Sequence, residues 1–194
     1  MCRAQVSSST RMFGNFRYAR TWPFFLTALL LVCQDVWAGE IFHSPDSRRW
    51  VEIDRGARGM SAALHHGGTP ILIFTDLPLP GNPAVVWPDA GTARISIPCG
   101  IECSATFFAS ERGSAGPFPN VMSTYPKYRI FSYWLKDNIV ISTMDPPVRT
   151  VGRLPLPDWC PGLQCHFEEF FDGKKYEIRD GKRKVSISVN SPGQ

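Results

Sequence analysis

Past its first forty residues the chain has no apolar stripe of helical period, and no apolar run near the ~20 residues that a membrane-spanning helix needs. A helical bundle and a helical membrane anchor within the body of the chain are excluded on that ground. Strong charge of either sign is also missing. The whole chain carries +4, but Arg3, Arg11, Arg17, Arg20 and Asp35 all precede residue 39, which leaves about +1 beyond it. That balance gives no footprint for nucleic acid, and no nucleic-acid partner is expected. There is no Asn-x-Ser/Thr glycan acceptor, which suits a bacterial envelope setting. Internal repetition is absent too: Leu77-Pro-Leu-Pro80 recurs at Leu154-Pro-Leu-Pro157, but the cysteines do not repeat with it.

What is present begins with an export signal. Arg11, Arg17 and Arg20 form a basic region, an apolar run follows from Trp22 to Cys33, and Val36-Trp37-Ala38 offers a small-residue cleavage site before Gly39. The reading is a signal peptide over 1–38 and one exported β domain over 39–194, in the periplasm or secreted. Met12 is an alternative start to Met1. Leu30-Leu-Val-Cys33 resembles a lipobox, but Val32 stands where a small residue belongs, so lipoprotein anchoring at Cys33 is the lesser expectation.

Cleavage after Ala38 leaves four of the six cysteines, and an oxidising compartment pairs them. Three connectivities are possible. The favoured one joins Cys99 to Cys103 and Cys160 to Cys165, because Gly100 and the Pro161-Gly162 turn let each short loop curl back.

Short alternating segments fill the rest. Candidate strands lie at Trp50–Asp54, Met60–His65, Pro70–Thr75, Ala84–Trp87, Ala93–Ile97, Ser104–Ala109, the hairpin Tyr128–Met144 turning at Lys136-Asp137-Asn138, His166–Phe171, Lys175–Arg179 and Lys184–Val189. Ile71–Phe74 is apolar on both faces and reads as a central, covered strand, whereas Glu111–Asn120 reads as an exposed loop. Nine to eleven short strands at this spacing predict an all-β fold, a single antiparallel sandwich or barrel-like domain.

Cys99-Gly through Cys103, Gly116-Pro-Phe-Pro-Asn-Val121, Asp137-Asn-Ile-Val140 and the aromatic, turn-rich closing strands resemble a group of small exported bacterial β proteins of unassigned function. The resemblance covers about the last two-thirds of the mature chain. It implies β architecture and an envelope location, and it brings no activity and no catalytic residues.

No coherent catalytic set emerges, and no enzyme is expected. Gly59-Met-Ser61 lacks the closing glycine and strand–turn–helix setting of a nucleophile elbow. His65 and His66 are neighbours that a strand would turn to opposite faces, so no metal site and no cofactor are expected. The alternative function uses Cys160, Cys165 and His166, which resemble a widened c-type haem attachment motif with Met122, Met144 or His65 as a second axial ligand. The favoured function is a non-enzymatic exported binding protein, such as an envelope inhibitor or immunity-type protein that recognises another protein. Its candidate surface is Phe118, Trp159, Lys174, Lys175, Tyr176, Lys182 and Arg183, although Phe118 reads first as an anchor into the core and second as an exposed contact. The cationic run also suits an anionic glycan or lipid headgroup, and it also suits protection of a sheet edge.

Overall fold

The computed structural model describes residues 39–101, 103–160 and 165–189. The expected signal segment, its cleavage site and Cys33 lie outside the described residues. Among the described residues there are fifteen strands and no α-helix, so the all-β expectation holds. The strands form four antiparallel sheets. The first contains β1 (Glu40–His43), β2 (Trp50–Gly56), β3 (Gly59–His65) and β4 (Ile71–Leu77). The second contains β5 (Ala84–Asp89), β6 (Thr92–Gly100), β7 (Cys103–Ser110) and β8 (Gly113–Pro119). β9 (Val121–Tyr125), β10 (Ile130–Leu135), β11 (Asn138–Thr143) and β12 (Thr150–Pro155) form the third. The last is a strand shorter, with β13 (Glu168–Phe171), β14 (Lys175–Asp180) and β15 (Arg183–Ser188).

In every sheet the strands pair in chain order, so each is a meander. No sheet closes into a barrel, and four sheets replace the expected single sandwich or barrel. The reason is visible along the middle strands. On β7, Phe107 enters an interface with the first sheet beside Phe74, while its neighbour Phe108 turns the other way onto Phe131 of the third sheet. On β10 and β11, Ile130, Ile139 and Ile141 face the last sheet, and Phe131, Tyr133 and Val140 face the second. Strand side chains alternate between faces, so apolar residues at both parities make these sheets internal layers. Three cores result. Val51, Ile53, Leu64 and Ile73 pack on Ala93, Ile95 and Ile97; an aromatic group of Phe108, Phe118, Phe131 and Tyr133 joins the middle sheets; Ile139, Ile141 and Leu154 pack on Tyr176 and Ile178. Each fully buried Ile or Phe contributes roughly 1.5–3 kcal/mol by leaving water.

Two expectations are corrected. Glu111–Asn120 is not a loop: Gly113–Pro119 is an edge strand paired to β7. Gly116 is required there, since a Cβ would meet Thr106 O at 2.8 Å. Ile71–Phe74 is not central: β4 is an edge strand and Leu72 is 58% exposed. The consecutive burial of Ile73 and Phe74 follows from register shifts at Ala62.

Arginines tie the turns at one end of the stack. Arg49 donates to Glu111 and to Ala90 O, reaching the β7–β8 and β5–β6 turns. Arg129, in left-handed conformation at φ 53°, donates to Asp89, Thr92 and Asp145. Its hydrogen bonds hold the Asp145 carboxyl below the usual carboxylate range.

Candidate binding surfaces

The disulfide Cys99–Cys103 sits where β6 turns into β7, with Gly100 the register partner of Cys103 and a Cα separation of 5.2 Å. Gly100 takes φ 145°, which a side chain resists, and so lets the chain reverse within the stapled loop. Ile101 stands at the tip. It is 96% exposed, the most exposed of the large apolar side chains among the described residues. A single solvated apolar side chain is ordinary on a surface. One held clear of the protein by a disulfide-closed turn has a different character, because the chain entropy of presenting it is already spent. Sequence reasoning identified the staple and missed what it carries. The available signal was an isoleucine directly after a glycine and between the two cysteines, too close to the staple to reach a core.

The predicted surface residues do not form one patch. Lys174 lies in the turn 172–174, and Lys182 in the turn 181–182, at opposite ends of the β14–β15 hairpin. Lys174, Lys175, Lys182 and Arg183 are exposed. Arg183 pairs with Asp180 at 2.5 Å and lies over the ring of Trp159, 5.3 Å from its centroid. Trp159 is half-buried against the core between the third and last sheets. Tyr176 is corrected as a surface contact, and Phe118 takes the anchor alternative. Tyr176 has 0% exposure, since it shares its inward parity with Ile178 while Lys175 and Arg179 point outward. Phe118 is half-buried in the aromatic interface, its ring 4.9 Å from that of Phe131, and serves as an anchor.

Tyr176 instead meets a carboxylate. Glu169, turned inward from β13, accepts hydrogen bonds from the hydroxyls of Tyr176 (2.5 Å), Ser132 (2.6 Å) and Ser123 (3.0 Å), with the Tyr125 hydroxyl at 3.5 Å. Burial, and then the Glu169 charge, push both phenols well above the usual tyrosine value. Every hydroxyl there donates to one acceptor, an arrangement that joins two sheets.

Cys160 and Cys165 are joined, with Cα atoms 5.3 Å apart. That disulfide uses the two thiols that thioether attachment of a haem would need. The proposed axial partners are also scattered: His166 is exposed beside the last sheet, Met144 is buried between the middle sheets, and His65 is 2.9 Å from Glu52 on the first. Among the described residues no three His, Cys, Asp or Glu side chains converge as metal ligands. The Cys99–Cys103 pair belongs to an oxidising, non-cytoplasmic compartment, and no described helix is long and apolar enough to cross a membrane.

Comparison with protein-family models, with curated proteins and with solved structures finds no match to this chain.

Proposed function

We propose that this is an exported, non-enzymatic protein of the periplasm or cell exterior that recognises another protein, in the manner of an envelope inhibitor or immunity-type protein. Ile101 carries the reading. A fully solvated isoleucine on a stapled turn is arranged to enter a pocket on a partner, and rigid presentation lowers the entropy lost on binding. The β6–β7 hairpin beneath that tip packs into two of the cores, which gives it a rigid base. The Cys99–Cys103 staple supports the location.

The test replaces Ile101 by a photo-crosslinking residue, with a control probe at Val86, which is 55% exposed elsewhere on the surface. The Ile101 probe is expected to join one specific envelope protein that the Val86 probe does not. With that partner in hand, Ile101→Asp is expected to weaken binding roughly 10- to 100-fold, the worth of burying one isoleucine. Its melting temperature stays unchanged, because the side chain touches no core. Equal capture by the two probes would overturn the reading.

A further inference from the structure

The two disulfides differ in what reaches them. Cys160 has 0% exposure and Cys165 is half-buried, so an incoming thiolate finds little of that pair. Cys103 is exposed and Cys99 half-buried, on the turn whose tip is Ile101. Thiol–disulfide exchange proceeds by attack of a thiolate on one of the two sulfurs, and access to that sulfur decides which bond opens. Cys103 offers the more accessible side.

The backbone around the pair limits what opening it does. Below the staple the hairpin is clamped: Ser104 N–H donates to the Asn120 side chain at 3.0 Å, and Asn120 N–H donates to Ser104 O at 3.1 Å. Pro98 faces Ser104 across the ladder, and beyond it the register slips, so that Cys99 is bulged out and Gly100 meets Cys103. One register pair and the disulfide therefore hold the turn. Without the disulfide, a bulged turn containing glycine remains on a hairpin that stays in place.

We propose that Cys99–Cys103 is a thiol–disulfide exchange site, opened by the dithiol of another exported protein, and that its opening releases the turn that presents Ile101. A thiolate of that dithiol attacks Sγ of Cys103. A mixed disulfide forms as the Cys99–Cys103 bond breaks, and Cys99 leaves with the electron pair and takes a proton. The second thiolate of the reductant then attacks its neighbour's sulfur in the mixed disulfide, and Cys103 leaves in the same way. Two electrons have crossed: the staple is reduced to two thiols, and the dithiol is oxidised to a disulfide. A loosened turn has to be ordered again when a partner binds, so the oxidised form is the one prepared for recognition. This last consequence rests on the function proposed above, and the exchange chemistry does not.

Timed alkylation of the native exported protein tests the exchange. Samples treated for increasing times with dithiothreitol, or with reduced thioredoxin as a dithiol of protein size, are trapped with iodoacetamide and mapped by mass. Cys99 and Cys103 should take the label about tenfold faster than Cys160 and Cys165, and thioredoxin should open the tip pair alone. Backbone relaxation reads the release: order parameters at Gly100, Ile101 and Cys103 should fall from about 0.85 to below about 0.6 on reduction, with β10 and β11 unchanged. Cys99→Ser combined with Cys103→Ser should show the same mobile tip without reductant. Equal labelling rates, earlier labelling of Cys160 and Cys165, a tip pair that thioredoxin leaves closed, or a tip equally rigid in both states would each overturn the proposal. No partner enters these readings. Failure here therefore leaves capture by the Ile101 probe standing, and an empty capture leaves the exchange site standing.

Discussion

Glu169 shows how much one inward residue can organise. It sits on β13, an edge strand of the last sheet, where an inward charge discourages pairing with a foreign strand. Four hydroxyls gather around its carboxylate, and two of them are the phenols of Tyr125 and Tyr176. Both phenols are raised, so the folded protein keeps protons that the unfolded chain releases near pH 10. Their contribution to stability is therefore complete below about pH 10 and is lost as pH rises above it. Absorbance at alkaline pH should show these two phenols ionising only as the protein unfolds, and Tyr176→Phe should remove one late step. Parity along β14 made Tyr176 legible as buried, because Ile178 shares its face. The adjacent Lys174 and Lys175 drew the reading toward a charged surface instead. Glu168 and Glu169 are neighbours that a strand turns to opposite faces, but no rule of sequence gathers Ser123, Tyr125 and Ser132 around the second.

The strands that the sequence concealed have a common position. β1, β8, β9 and β12 all lie at sheet edges, where one backbone side is unpaired and Pro and Gly are tolerated. Their composition is freed from the alternation that marks inner strands. β6 and the β10–β11 hairpin are flanked on both sides, and they were legible at once. The aromatic interface between the second and third sheets was hidden for a related reason. Phe107 and Phe108 are adjacent, and only the fold tells which sheet each one meets. Phe131, with 0% exposure, should cost roughly 3–5 kcal/mol when replaced by alanine. Half-buried Phe118 should cost clearly less, and urea midpoints of the two variants check the order.

For the molecule as a whole, the two disulfides close loops of only four and five residues of separation. Loop entropy then assigns each about 2 kcal/mol, small beside three packed cores. Intact mass spectrometry of the exported protein should give a chain beginning at Gly39, short of four hydrogens, that takes up alkylating reagent only after reduction. The reduced protein should keep its β circular dichroism and melt at a lower temperature; unfolding on reduction would instead give the staples the main structural role. The Cys99–Cys103 pairing was legible from Gly100 and its short loop, but the exposure of Ile101 required the fold.

The chain-ordered meanders bear on how such a molecule forms. Every strand pairs with its immediate predecessor or successor, so no hydrogen-bonded ladder waits for a distant segment. Low contact order of this kind favours fast closure of each unit. A chain delivered N-terminus first can complete one meander, lay the next on it and continue, burying apolar surface in the order of its arrival.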